Sequence, residues 1–340
     1  MVIIFLLSCA VFLSACGEEM HKYTVSSFDY FDTVTTVIGY EKSRADFDRT
    51  SAEILDELGR YHRLFDIYNT YDGVSNLCTV NGVSAGGQIK VQVDAEIIDL
   101  LLYSKEAFEL SEGTVNIGLG GLLSIWHEYR SNGADDPTAA KIPPYEMLAD
   151  AAEHCDINDI VIDKEEGTVL LADDKMKIDV GAIAKGYAVE AVARSFEEKG
   201  LTGYVINAGG NIRTLGNKPD FSAWTVGIES PLSEDEFVAE VRIDGYALAT
   251  SGSYRRYYEV DGKRYNHVID PKTLMPSDRF ASVSVICPSA ADADVLSTAL
   301  FCMDYEEGLR LISKIPDAEA LWVFNSGETK ESNSFSKYSK

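Results

Sequence analysis

Basic residues are scarce in this chain of 340 residues: 30 Lys and Arg face 55 Asp and Glu, a formal net charge of −25. No basic cluster offsets that surplus. So acidic a surface repels nucleic-acid phosphates, which argues against nucleic-acid binding. A small anionic ligand would need a bound cation or a cradle of backbone amides. A bilayer-spanning run is not seen either, since the apolar stretch Val2 to Ala15 has 14 residues against the roughly 20 that a spanning helix needs. Paired cysteines are missing too. Of six, Cys9 and Cys16 lie at the N-terminus, while Cys78, Cys155, Cys287 and Cys302 are scattered, with no Cys-x-x-Cys pair and no metal-ligand spacing. Cys287 and Cys302 sit in apolar contexts expected of buried small hydrophobes. A disulfide among the four cannot be read from their spacing. No fixed-period repeat is present, and histidine occurs only five times.

What is present begins with a signal. The apolar run has the length of a signal-peptide core, and "LSAC", Leu13 to Cys16, resembles a bacterial lipobox. That resemblance implies cleavage before Cys16, a lipid on its sulfur, and an anchored protein on the extracytoplasmic side of the cell membrane. An ordinary secretory signal is the alternative, and no Lys or Arg precedes the run, a departure from the usual pattern. The expected organisation is a signal peptide over residues 1–15, a polar tether over 16–26, one catalytic domain over 27–326 and a frayed polar tail over 327–340.

The periodicity predicts a strand from Tyr30 to Tyr40, then helices over roughly 46–68 and 94–110. The segment Ser131 to Pro144 reads as a surface loop by its Gly, Pro and Asp content. Strands follow at "DIVID", "TVLLA" and "MKIDV", then a helix over Ile183 to Lys199 and several short strands ending at "SVSVIC", Ser282 to Cys287. Helices over Ala290 to Met303 and Glu306 to Ser313 and a strand "EALWVF" close the fold. Strands and helices mixed without regular alternation predict an α+β fold rather than a doubly wound sheet.

Four segments could carry chemistry. In "KIDVGAIAKGYAVE", Lys177 to Glu190, a strand end meets a Gly-Ala turn and a helix start, where free amides favour an anion; plain architecture explains the same pattern. In "INAGGNIRTLG", Gly209 and Gly210 read as a hairpin turn or as bare backbone against a flat ligand. In "CPSAADADVLSTALF", Ser289 and Asp292 have a capping explanation. Asp294 and Thr298 share a helical face, which suits a hard cation such as Mg²⁺ or, equally, a solvent-facing Asp beside a Thr bonded to its helix. In "RYNHVIDPKT", the proline stops a strand near Asp270. His267 is thereby presented at a strand end, as a general base or as a hydrogen-bonded structural residue.

Together with "FDTVTTV", "FDIYNTYDGVSNL" and "VNIGLGGLLSIW", these segments, in order from Tyr30 to Ile312, resemble the ApbE family, the FAD:protein FMN transferases. The resemblance implies an ApbE-like α+β fold that binds FAD with Mg²⁺ and moves its FMN half to a threonine hydroxyl of an acceptor flavoprotein, releasing AMP. The acceptors it implies are redox-pump subunits or extracytoplasmic flavoproteins. It places Asp294, Thr298 and the Ala182 carbonyl on the metal. Asp179, Lys185, Ile269, Tyr68 and Asn116, Ile117 and Gly118 fall on the flavin nucleotide, Phe31 falls beside the flavin, and His267 falls on the proton acceptor. Gly209 and Gly210 would admit the adenosine or flavin rings. FAD hydrolysis to FMN and AMP, or flavin capture without chemistry, are the alternatives. Two departures stand out: "NIG" replaces a more usual acidic residue and threonine, and "TLMP" replaces Thr-Gly-x-Pro. Leu274 resists a positive φ, so that loop is expected to be reshaped.

Overall fold

The computed structural model describes residues 19–84, 89–233 and 235–340. The signal peptide expected over 1–15 and the lipidation site Cys16 lie outside the described residues. Eight strands form one antiparallel sheet, in the order His21–Tyr30, Thr33–Glu41, Tyr204–Ala208, Asn211–Leu215, Ala247–Gly252, Ser282–Cys287, Glu319–Val323 and Thr329–Glu331. The helices among the described residues are α1 (Arg44–Phe65), α2 (Leu77–Ser84), α3 (Ala95–Leu110), α4 (Gly120–Asp135), α5 (Tyr145–Ala152), α6 (Ala184–Glu198), α7 (Ala290–Cys302) and α8 (Tyr305–Ile312). This is the mixed α+β arrangement expected from the sequence.

Alternation decides which face of the sheet each side chain covers. Val37, Tyr204, Ile206, Val283, Val285 and Trp322 join the large core with α1, α3, α6 and α7. Leu248, Ile286 and Leu321 point the other way, into a smaller core with Ile228, Val241 and Ile243 from the hairpin Trp224–Glu229/Phe237–Ile243. The strand Ser282–Cys287 is buried at every residue because both its faces are covered, so it reads as a continuous buried run.

Several expectations change. Helix α4 runs on to Asp135, into the segment expected to be a loop from Ser131. Residues 21–26, expected in the tether, belong to the first strand, paired from His21 opposite Glu41. Tyr23 and Val25 pack against the main core on alternate positions, with the Tyr23 ring 5.5 Å from that of Phe47. "MKIDV" is not a strand: only Lys177 bridges, parallel to Leu119. The polar tail is not frayed. Thr329–Glu331 edges the sheet, Ser332 exchanges hydrogen bonds with Ala320, and Phe335 is fully buried in the smaller core. Its composition is polar because most of it lies outermost, while two aromatic side chains, Phe335 and Tyr338, anchor it in the smaller core. All four described cysteines are free, and Cys155, Cys287 and Cys302 are buried.

Phe335→Ala should therefore cost about 3–5 kcal/mol, the usual range for a buried Phe truncation. Denaturant unfolding measures this, and an unchanged midpoint would mean that the C-terminal segment does not anchor the fold.

Candidate active site

Ser289 accepts a hydrogen bond from the Asp292 amide at 3.2 Å and starts α7. The Asp292 carboxylate turns away to accept from the Tyr103 hydroxyl at 2.7 Å. Asp294, one residue pair further on, is 5% exposed, which removes the reading of a solvent-facing carboxylate. Its Oδ2 accepts the backbone N–H of Gly186 at 2.9 Å, within the first turn of α6. The amides there and the helix dipole stabilise the charge. Gly186 has to be glycine for the two helices to meet, since a Cβ would lie 2.4 Å from the Ala290 carbonyl oxygen and 2.5 Å from Asp294 Cβ. Lys185 Nζ stands 3.9 Å from Asp294 and donates to the Gly181 carbonyl at 3.3 Å. Burial still pushes the Asp294 carboxyl up, and Lys185 and the Gly186 amide oppose it without cancelling it.

Asp294 and Thr298 border a cavity of about 610 Å³, within the range of ligand sites. Thr298 shares a 3.1 Å hydrogen bond with Ser251, on the neighbouring strand. Ala182 and Asp179 line the cavity from the turn ahead of α6. Asp179 accepts the Gly181 amide at 2.8 Å, and burial pushes its carboxyl up as well. Among the described residues no three His, Cys, Asp or Glu side chains gather to hold a metal ion. A cation here would take one carboxylate and otherwise neutral oxygens from Thr298, Ser251 and Ala182. Those are hard ligands, and an under-compensated buried carboxylate among them fits Mg²⁺, which characteristically keeps waters and substrate oxygens as its remaining ligands.

His267 follows the strand Lys263–Asn266 and lines the same cavity. Asn266 and Val268 hold it in place: Asn266 bonds to the Ser277 carbonyl and accepts the Val268 amide, at 2.6 and 2.8 Å. The imidazole Nδ1 is shielded from solvent and has no hydrogen-bond partner. Burial, then the charges of Arg256, Arg130 and Lys185, push its pKa from the ordinary 6.5 down to about 3. A neutral imidazole with an unengaged nitrogen is equipped to accept a proton.

Tyr68, Asn116, Ile117, Gly209, Gly210 and Ile269 also border the cavity. The cradle around Tyr68 is set by Asp66, which accepts the Tyr68 and Asn69 amides at 2.7 and 3.0 Å and the Tyr71 hydroxyl at 2.8 Å. Gly209 and Gly210 both have positive φ, 60° and 96°, as a two-residue hairpin between paired Ala208 and Asn211 requires. The turn reading holds; a Cβ would meet the Thr33 side chain at 2.3 Å at Gly209 and nothing within 4 Å at Gly210.

Two residues stand outside the cavity wall. Gly118 packs instead against Cys155, whose carbonyl also accepts the Asn116 side chain at 2.8 Å, so the departing "NIG" has become a self-bracing turn. Phe31 sits in the turn of the first hairpin with φ 55°, its amide held by His62 Nδ1 at 3.2 Å. In the loop at "TLMP", Leu274 itself takes φ 61°, a strain of about 1–2 kcal/mol. Its carbonyl is anchored by Trp126 Nε1 at 2.9 Å.

Sequence reasoning missed Arg130, His127, Ser251 and Arg256, all on the cavity wall. His127 and Arg130 lie on α4 just beyond the motif that ends at Trp126, one helical turn apart, and that i, i+3 spacing was the available signal.

A sequence profile of the ApbE family matches residues 31–322. An FAD:protein FMN transferase of Klebsiella pneumoniae is 30% identical over 271 residues, 77% of this chain and 81% of its own. That of Treponema pallidum is 33% identical over 253 residues, 70% of this chain and 68% of its own. The solved ApbE protein of Thermotoga maritima superposes with a TM-score of 0.79 at 28% identity, covering 94% of this chain and 100% of that one.

Folding lowers the proton affinity of His267, so below 6.5 the unfolded chain binds protons that the folded chain does not. Its contribution is therefore a loss of stability as pH falls from 6.5 toward about 3. NMR titration of the ligand-free protein should show the His267 ring still neutral at about pH 5; a midpoint near the ordinary value would overturn the assignment.

Proposed function

The chain belongs to the ApbE family, and we infer that it is an FAD:protein FMN transferase, moving the FMN half of FAD onto an acceptor flavoprotein. The observation that carries the mechanism is the unpartnered Nδ1 of His267, in the same cavity as the buried Asp294 carboxylate. We propose a threonine as the acceptor residue. Its Oγ attacks the FMN phosphorus of the pyrophosphate, the bond from that phosphorus to the bridging oxygen breaks, and AMP leaves with that oxygen. His267 Nδ1 takes the threonine proton, and a phosphoester remains. Asp294, Thr298 and the Ala182 carbonyl would hold Mg²⁺. When bound, the ion supplies positive charge against the pyrophosphate. Asp179 and Lys185, ahead of and within the first turn of α6, hold the nucleotide where the helix amides face it, and the Gly209-Gly210 turn offers a ring open space at Gly210. Positioning and charge neutralisation are most of what such a transfer demands.

Supplied with FAD, Mg²⁺ and a threonine-bearing acceptor domain, the protein from Gly17 onward should add one FMN per acceptor by mass spectrometry, and EDTA should abolish the gain. Release of AMP with an unmodified acceptor would mean that water is the nucleophile, and no AMP at all would mean that flavin is bound without chemistry. His267→Ala should retain FAD binding and lose about 10²–10⁴-fold in turnover, and Asp294→Ala should abolish the Mg²⁺-dependent activity. Unchanged turnover in either variant defeats that residue's role.

We also propose that Cys16 carries a lipid that holds the enzyme on the extracytoplasmic face, near membrane redox subunits and exported flavoproteins. The support is sequence alone: the apolar run Val2 to Ala15 followed by Leu13-Ser14-Ala15-Cys16. No helix among the described residues is long and apolar enough to cross a membrane. Cys16→Ser should move the protein from the membrane fraction to the soluble one, and continued membrane retention would sink the anchor.

A further inference from the structure

Two guanidinium groups line the cavity without a carboxylate partner among the described residues. Arg130 donates from Nη2 to His127 Nδ1 at 3.0 Å. Arg256 donates from Nη2 to the Asp32 carbonyl at 2.9 Å. Both acceptors are neutral. The carbonyl carries no charge, and His127 is kept neutral because burial and Arg130 itself push its pKa down. Each arginine is therefore oriented without a carboxylate at ion-pair distance, although Asp179 acts on Arg130 through space. The His127 ring is in turn braced by Tyr68, ring centres 5.4 Å apart, at the cavity wall.

The acids of the cavity are otherwise engaged. Glu229 pairs with Arg255, Asp294 faces Lys185 and the Gly186 amide, and Asp179 accepts the Gly181 amide. Burial and Arg256 lower the Arg130 pKa, Tyr68 and the Asp179 carboxylate oppose them, and both arginines act on His267. Like charges brought together in a partly buried wall, in a chain of net charge −25, repel until an anion lies between them. A planar fork of N–H donors is also the side chain best matched to phosphate oxygens.

We propose that Arg130 and Arg256 form a phosphate clamp for the dinucleotide, distinct from the cation-holding side at Asp294 and Thr298. The clamp rests on the FMN-transferase reading for the identity of its ligand, the pyrophosphate of FAD. It also serves the product. AMP leaves with the bridging oxygen and one more negative charge than its phosphate carried within FAD, and the two guanidiniums are the unspent positive charge in the cavity. The clamp selects by phosphate, so it discriminates FAD and AMP from riboflavin, which presents the same ring system as FAD and no phosphate.

The test is equilibrium binding of FAD, AMP and riboflavin to the purified protein in Mg²⁺, for Arg130→Gln, Arg256→Gln and the corresponding Lys variants, each first shown to melt as the parent does. Each Gln variant should bind FAD and AMP about tenfold or more weakly, the worth of one charged hydrogen-bond contact. Riboflavin should change by less than about twofold, and Lys should recover part of the loss because it restores the charge without the fork. Unchanged FAD and AMP affinities overturn the clamp. So does an equal loss for riboflavin, which would make the arginines supports of the ring site. An acceptor that stays unlabelled while FAD affinity keeps its dependence on both arginines would instead defeat the transferase reading and leave the clamp standing.

Discussion

The site depends on one buried carboxylate. Asp294 sits between two helices, and α6 presents its opening amides to it only because residue 186 has no side chain to hold the helices apart. A buried carboxylate costs several kcal/mol unless charge or hydrogen bonds compensate it. Lys185, the Gly186 amide and Asn211 do so in part, and burial still wins. That residual imbalance is the property a metal ligand needs. The same contact fixes the turn holding Asp179, Gly181 and Ala182 beside the helix face that carries Thr298, so the proposed anion cradle and the proposed cation ligands share one cavity.

Charge is organised on two scales. The chain as a whole is strongly acidic, while its cavity wall carries Lys185, Arg130, Arg255 and Arg256. At physiological salt the long-range field is screened within about 8 Å, so the local cations, rather than the net charge, decide what the cavity accepts. Burial, with Arg256, Arg130 and Lys185, also keeps His267 neutral. The cationic wall that would hold a pyrophosphate thus helps burial to keep the proposed base in its proton-accepting form.

Much of the scaffold was legible. The helix at 183–199, the strand Ser282–Cys287, the Ser289 cap and the Gly209-Gly210 turn follow from rules that act within a few residues. The failures share a cause. Residues 21–26 looked like a tether because alternating polar residues hide the Tyr23 and Val25 face that the core requires. The C-terminal segment looked frayed because only two aromatics in a polar run, Phe335 and Tyr338, carry its burial. "MKIDV" has the composition of a strand but no neighbour to pair with beyond Leu119. Leu274 keeps a left-handed turn that its side chain disfavours, because Trp126 and the Asp270 turn hold the backbone on either side.

The sequence by itself determined the fold class, the family and most residues at the cavity, including Asp294, Thr298 and His267, because helical spacing, glycine turns and ordered motifs are local facts. It could not determine that Asp294 is buried rather than solvent-facing, that His267 Nδ1 is left without a partner, or that Arg130 and Arg256 converge from segments 126 positions apart in the chain. Burial, proton affinity and charge pairing depend on what long-range packing brings alongside a group. Only the tertiary structure supplies those neighbours.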